Sequence, residues 1–320
     1  MRNLEKDFKS SLEAVAEILK IPPNRVSRDA YNRTAVDHDV PKRLSGAKLH
    51  EIGGFAHNRD KYYGAASSGP RVLIFDIETS PMLVYAWSLF DLKLSPSQIV
   101  EDWSILSYSA KWLDEDDVIY SDTSKMKDPR DDSELLSEIW ELLNEADVLV
   151  THNGVKFDAK KVNARLIEAG YTPPSKYRHF DTYQAARKVF KFTSNKLEYI
   201  TRRLNDSDKR KLSHGKFPGF SLWKACLEGN KEAWKEMREY NIMDVVSLEQ
   251  TAKLIMPWYN NINWGMYSNQ DECSCGSLDI EADGVYYTNA SRYVRFRCNS
   301  CGASFRGKTK IKDGVSLRPI

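Results

Sequence analysis

No apolar run in the 320 residues approaches the roughly 20 needed to span a bilayer, so a membrane-spanning role is not expected. The opening Met1-Arg2-Asn3-Leu4-Glu5-Lys6 also lacks the apolar stretch of a secretory signal. A cytoplasmic address is the expectation. Net charge is only +2, so bulk charge identifies no partner. Cysteine is scarce, and four of the five fall within the last 48 residues as two close pairs. That placement excludes a disulfide framework running through the chain and, in a reducing compartment, points to metal. The fifth, Cys226, stands alone and reads as a small core residue. The hydrophobic fraction of 41% and charged fraction of 29% are those of a globular protein.

Charge is uneven along the chain. Gly284–Ile320 holds eight Lys/Arg and one acid. Arg202, Arg203, Lys209, Arg210, Lys211 and Lys216 cluster between Thr201 and Lys216. Such patches suit a phosphate backbone, and equally a solvated basic face.

Residues 1–35 read as a helix-turn-helix-like region. Leu4, Phe8, Leu12, Val15 and Leu19 recur at steps of three or four, and Pro22-Pro23 ends the first helix. Arg25, Arg28 and Arg33 on the second helix are compatible with contact to DNA, and a plain helical hairpin would look the same. Residues 36–70, closing in Ala65-Ala66-Ser67-Ser68-Gly69-Pro70, read as a linker. The main domain spans 71–256. Val72–Phe75 has the composition of a buried strand. Trp103–Leu113 and Asp117–Ser121 follow as strands, Ser133–Ala146 as an amphipathic helix, Val148–Val150 as a strand and Lys156–Gly170 as a helix. Asp181–Ile255 is mostly helical in composition. This order predicts an α/β domain with a mixed sheet flanked by helices. Residues 268–310, rich in Cys, Tyr, Arg and Gly, form a separate small module with β-like pieces at Gly284–Tyr287 and Tyr293–Arg297.

Three acidic motifs lie in the main domain. Asp76-Ile77-Glu78 follows the first strand, and alternation places both carboxylates on one face. Two adjacent carboxylates repel, and a divalent cation removes that cost. His152-Asn153-Gly154-Val155-Lys156-Phe157-Asp158 begins where a strand gives way to a helix, the place where open α/β sheets hold ligands. Tyr240 and Asp244 are four apart on a helix and share a face. Each motif alone has an ordinary structural reading: a solvated strand end, a helix-start Asp, a surface Tyr–Asp pair.

Together, Asp-x-Glu, Asn-x4-Asp and Tyr-x3-Asp, in this order, resemble the three motifs of the DEDD 3'–5' exonucleases, in their Tyr-containing branch. Phe180-Asp181-Thr182-Tyr183 and Asn195–Ile200 are similar to the stretch between motifs two and three in family B polymerase proofreading domains. The resemblance covers about residues 71–256 and implies a ribonuclease-H-like fold. It further implies that Asp76, Glu78 and Asp244 hold one Mg²⁺ or Mn²⁺, that Asp76 bridges to a second ion, and that Asp158 supports that second ion. Tyr240 would orient the attacking water. Two ions about 3.5–4 Å apart can serve both nucleophile and leaving oxygen, and carboxylates suit hard cations. The resemblance suggests a hydrogen bond from Asn153 to the terminal nucleotide, although Asn also suits a tight turn. His152 is expected to orient its loop.

Cys273-Ser274-Cys275 and Cys298-Asn299-Ser300-Cys301 are separated by 22 residues and resemble a zinc ribbon. Four thiolates suit one structural Zn²⁺. The first pair is one residue shorter than the usual Cys-x2-Cys, which leaves its knuckle geometry, and the identity of the fourth ligand, open. Arg292, Arg295 and Arg297, interleaved with Tyr286, Tyr287, Tyr293 and Phe296, are candidate nucleic-acid contacts, while some of these aromatics must fill the module's small core. The expected activity is metal-dependent 3'–5' exonucleolysis of nucleic acid, DNA favoured, with replication or repair proteins as further candidate partners and no membrane partner. The alternatives are a non-catalytic nucleic-acid-binding scaffold and a structure-selective endonuclease of the same fold.

Overall fold

The computed structural model describes residues 70–90, 93–207, 215–259, 261–268 and 271–312, together with the helical residues Glu13, Ala14 and Glu17. Apart from those three and Pro70, the helix-turn-helix-like region expected over 1–35 and the linker over 36–70 lie outside the described residues.

The domain is built on a five-stranded sheet: β1 (Val72–Thr79), β4 (Ile105–Trp112), β5 (Val118–Asp122), β6 (Val148–Thr151) and β7 (Arg178–Asp181). Their order across the sheet is β5-β4-β1-β6-β7. β1 pairs antiparallel with β4 and parallel with β6; β4 with β5 is antiparallel, and β6 with β7 parallel. The expected mixed sheet is therefore present. Four of these strands coincide with the strand segments expected from the sequence; β7 has no apolar run to announce it.

Alternation along β1 divides its side chains between two cores. Leu73, Phe75 and Ile77 pack with Leu135, Leu136, Ile139, Trp140 and Leu143 of α1 (Ser133–Glu145) and with Val162 and Leu166 of α2 (Asp158–Glu168). Val72 and Ile74 face the other way. There they meet Ala185 and Ala186 of α3 (Thr182–Val189), Leu197 and Ile200 of α4 (Leu197–Leu204), and Val245, Leu248, Ala252 and Ile255 of α6 (Lys231–Ile255). Asp76 and Glu78 continue this second face by the same alternation, so they emerge beneath α6. α5 (Ser221–Leu227) packs Leu222 and Cys226 against Trp234 and Met237 of α6, which bears out Cys226 as a core residue. Asn230 caps α6 by accepting from the backbone of Glu232 and Ala233.

Two ion pairs brace the domain. Asp132 is 2% exposed and receives both Nε and Nη2 of Arg165 at 2.8 Å, plus the Ile105 amide at 3.0 Å. Lys111 and Glu249 tie β4 to α6 at 2.7 Å. Between β1 and β4, β2 (Leu83–Val84) and β3 (Ile99–Glu101) form a short antiparallel pair. Trp87, Leu89 and Phe90 project from it into solvent. No helix among the described residues is long and apolar enough to cross a membrane.

The C-terminal module is a three-stranded antiparallel sheet, β8 (Ile280–Tyr287), β9 (Arg292–Cys298) and β10 (Ser304–Ile311), with β9 in the centre. A single-turn helix, α7 (Gly265–Ser268), precedes it.

Candidate metal centre and cysteine cluster

β1 and α6 bring three carboxylates together across more than 160 residues of sequence. One ligand atom from each of Asp76, Glu78 and Asp244 lies within 4.8 Å of the others. Asp244 is 2% exposed, whereas Asp76 and Glu78 are half-buried. Hard oxygen donors converging in this way can hold a divalent cation. Without one, three like charges are crowded beneath a helix. The residues present therefore fit the metal site that the sequence motifs imply.

Neutral donors steady two of these carboxylates. The Trp223 indole Nε1–H donates to Glu78 Oε2 at 3.0 Å. The Asn241 amide donates through Nδ2 to Asp76 Oδ2 at 2.7 Å, while its Oδ1 accepts from the Ser107 hydroxyl at 3.1 Å. Ser107 is the β4 residue paired with Glu78. The Trp223 ring also stands edge-on to Tyr240, with centroids 6.5 Å apart at 80°. Tyr240 lies one helical turn before Asp244, so α6 delivers the hydroxyl and the carboxylate to one side. Trp223 and Asn241 were not foreseen as site residues. Their hydrogen-bond partners are 145 and 165 positions away, and no local pattern announces them.

Asp158 opens α2 and lies beside the cluster rather than in it. Its Oδ1 accepts the amide of Ile77, the residue between Asp76 and Glu78, at 3.3 Å. Burial raises its pKa to about 7, and the negative charges of Asp181 and Asp244 add to the rise. Backbone amides, including that of Ile77, act in the opposite direction. Such a carboxyl is poised to gain a cation or keep a proton.

The loop from β6 to α2 is held by Asp181. Its Oδ1 accepts from the backbone of Asn153 at 2.9 Å and Tyr183 at 3.0 Å, and its Oδ2 from Val155 at 3.2 Å. Asp181 thus caps α3 and fastens the motif-two loop with one carboxylate. Asn153 has φ 69°, a left-handed conformation that Asn tolerates better than most residues. At Gly154 a Cβ would lie 2.3 Å from Thr151 Oγ1, so the tight turn admits no side chain. Both nitrogens of His152 are engaged: Nδ1 with the Thr182 hydroxyl at 2.9 Å, and Nε2 with the Asn195 carbonyl at 3.0 Å. The carbonyl accepts, so Nε2 carries a proton. These bonds give His152 a place in fastening the loop.

In the C-terminal module the four sulfurs of Cys273, Cys275, Cys298 and Cys301 lie within 4.8 Å of one another. Cys273 and Cys301 are 3.4 Å apart, and Cys275 and Cys298 3.7 Å. A disulfide needs about 2.05 Å. A tetrahedron with Zn–S bonds of about 2.3 Å spaces its sulfurs by about 3.8 Å. The short Cys-x-Cys knuckle still delivers both thiols, with Gly276 at φ 81°. Burial disfavours the Cys298 thiolate, yet the backbone amides of Cys301 and Ser300 bring its pKa down to about 6. The cluster is suited to a soft or borderline metal ion.

Of the candidate basic contacts, Arg295 and Arg297 share one face of β9 and both reach Asp283. Arg295 donates to its carbonyl at 2.6 Å and Arg297 to its carboxylate at 2.9 Å. Both remain partly exposed. Arg292, on the opposite face, donates to the Lys312 carbonyl at 3.3 Å.

Comparison with known proteins bears on the fold. The sequence model described as the RNase_H superfamily matches residues 102–256. That stretch holds Asp158, Tyr240 and Asp244, while Asp76 and Glu78 precede it. The mixed sheet flanked by helices is consistent with a ribonuclease-H-like fold. Among solved structures, the chain is similar to the family B DNA polymerase from the hyperthermophilic archaeon Pyrobaculum calidifontis, with a TM-score of 0.42 and 15% identity. The match covers 68% of this chain and 31% of that polymerase. Among curated proteins nothing matches.

Proposed function

We propose that the protein is a metal-dependent 3'–5' exonuclease that hydrolyses phosphodiester bonds of nucleic acid, DNA favoured. The observation that carries this reading is the convergence of Asp76, Glu78 and Asp244, with Asp158 beside them and Tyr240 one turn away. Asp76, Glu78 and Asp244 would hold Mg²⁺ or Mn²⁺, and Asp158 would support a second such ion. Bound there, the pair would supply an activated water and charge stabilisation for both the attacking and the leaving oxygen. The chain's own residues position and exclude. Tyr240 offers a hydroxyl that can orient water without adding charge to an anionic site. Asp181, Gly154 and His152 fix the motif-two loop, so that Asn153 is presented at the end of β6, where a terminal nucleotide would sit. The 3'-end polarity rests on the motif resemblance.

The four-cysteine module would hold one structural Zn²⁺ and act as an auxiliary nucleic-acid contact through Arg292, Arg295 and Arg297. Linking two weak sites on one polymer raises overall affinity through effective concentration. The division into an N-terminal helical region, an exonuclease domain and a zinc module is part of the same proposal, as are a cytoplasmic address and replication or repair proteins as partners.

The test is nuclease assay of the wild type, Asp76→Ala and Asp244→Ala on 3'-accessible and circular single strands. Metal-dependent shortening of linear substrates, circles left intact, and loss of cleavage with binding retained in both variants are expected. Cutting of circles would favour an endonuclease. Wild-type rates in either variant would overturn the site assignment.

A further inference from the structure

Large apolar side chains gather in solvent on the hairpin that β2 and β3 form between β1 and β4. Trp87 is 99% exposed, Leu89 86%, Phe90 81% and Tyr85 74%, and Leu83 and Leu94 are exposed on the same segment. Single exposed apolar residues are ordinary, whereas a group of this size marks an interaction surface. The hairpin is also braced. One guanidinium fastens both of its legs: Arg130 Nη1 reaches the Ser80 hydroxyl at 3.1 Å and the carbonyls of Pro81 and Asp102 at 3.0 Å, and its Nε pairs with Glu101. Farther out, the Tyr85 amide donates to the Gln98 carbonyl at 2.9 Å, and Gln98 Nε2 donates to the Tyr85 carbonyl at 2.8 Å. The Ser88 hydroxyl donates to the Phe90 carbonyl at 2.7 Å, within the apolar tip. A face held in this way loses little conformational freedom when it is covered.

The chemistry of the face indicates what covers it. Between Ser80 and Val100 the charged residues are Asp91 and Lys93, one of each sign. Nucleic-acid interfaces are polar and strongly positive, and this face is neither. Aromatic residues with few charges are the composition of a protein–protein interface centre, and interfaces between identical chains are the more apolar kind. A face without net charge also meets its own copy without like-charge repulsion. Its size fits as well. Tyr85, Trp87 and Phe90 offer roughly 400–600 Å² when covered, and with the flanking leucines the face approaches the ~800 Å² per partner of a standard stable interface. We propose that the β2–β3 hairpin is a self-association surface through which two copies of the chain pair about a two-fold axis, the same patch serving on both. Tyr85, Trp87 and Phe90 are its anchors. The inference stands apart from the reading of the acidic cluster, whose residues take no part in it.

The experiment is analytical ultracentrifugation of the full chain over a concentration series, comparing wild type with Trp87→Ser and with Trp87→Ser/Phe90→Ser. Both positions are exposed, so the fold is kept, and an unchanged Tm checks this. The wild type should sediment toward twice the 36.8 kDa mass of the chain as concentration rises. Loss of an anchoring aromatic weakens an interface roughly 30-fold, and a two-fold pair counts the change twice, so the dimer Kd of Trp87→Ser should rise about 10³-fold. A wild type that stays monomeric at every concentration, or a dimer that both variants leave intact, would overturn the proposal. Two further results would overturn it by naming another occupant. A monomeric wild type that shields Trp87 from iodide quenching would show the face covered by the chain's own residues. Loss of affinity for a single-stranded oligonucleotide in the variants, with the wild type monomeric, would make the face a nucleic-acid platform. A second measurement uses the conservative variant. Trp87→Phe should still pair, and the tryptophan emission of the wild type should move to longer wavelength on dilution while that of Trp87→Phe does not. The same dilution shift in both proteins would place Trp87 outside the interface and contradict the assignment.

Discussion

Replacing Asp244 by Asn should make the metal-free protein more stable, not less. Aspartate and asparagine are nearly isosteric, so the change removes charge while leaving α6 packed. Three carboxylates within 4.8 Å of one another repel pairwise. At an effective dielectric constant of about 20, each pair at that separation costs about 3.5 kcal/mol. Neutralising Asp244 abolishes two of the three pairs. Screening by salt and the N–H donors of Trp223 and Asn241 offset much of this. A net gain of about 1–3 kcal/mol is the expected remainder. For a domain of this size each kcal/mol raises Tm by about 2–4 °C. Scanning calorimetry in EDTA should therefore show Asp244→Asn melting roughly 2–12 °C above wild type. Manganese should reverse the order. A ligand at 100 times its Kd stabilises by about 2.7 kcal/mol, and only the wild type retains the full site. An Asn variant less stable than wild type in EDTA, with no Mn²⁺ response in either protein, would refute the electrostatic reasoning.

Gly154→Ala forces a Cβ to within 2.3 Å of Thr151 Oγ1, so it should destabilise the domain by about 1–3 kcal/mol, as overpacking does, and impair catalysis more than nucleic-acid binding. Equal Tm and kcat in the alanine variant would show that the turn can relax. Cys298→Ser should release one equivalent of zinc by elemental analysis and weaken nucleic-acid binding more than the chemical step; unchanged zinc content would rule out the cluster as the ligand set. His179 provides a pH dependence. Burial lowers its pKa below the ordinary 6.5, with Asp181 opposing the shift, and its Nε2 is paired with Thr151 Oγ1 at 2.8 Å. The unfolded chain takes up the proton first, so its contribution is complete above about pH 6.5 and is lost as pH falls through the lower folded value. Denaturant melts of His179→Phe should show a flatter stability profile below pH 6.5 than wild type, and parallel profiles would contradict this.

Much of the framework is legible in the residues because burial follows period. Val72–Phe75 and Val148–Val150 announce central strands by being apolar without interruption, as strands covered on both faces must be. Leu135, Leu136, Ile139, Trp140 and Leu143 announce α1 by recurring along one helical stripe. β7 escapes because Arg178 and His179 sit at the sheet's edge, where pairing with β6 rather than composition makes the strand. The β2–β3 pair escapes for the opposite reason: its apolar residues point outward, so inferring burial from hydrophobicity fails there. The acidic motifs are legible through residue type and order. Trp223 and Asn241 are not, because their meaning depends on tertiary contacts to β1 that no local window contains. Asp181 reads as part of a motif-like stretch, but its bonds to Asn153 and Val155 appear only once β6 and β7 lie side by side.

The central claim is tested most directly by a time course on 5'-labelled single-stranded DNA and RNA oligonucleotides, with Mg²⁺, with Mn²⁺ and with EDTA. A ladder shortening from the 3' end, present with either metal, absent with EDTA and faster on DNA, is the predicted result. Tight binding of both polymers with no cleavage under any condition would contradict it and leave a nucleic-acid-binding scaffold in its place.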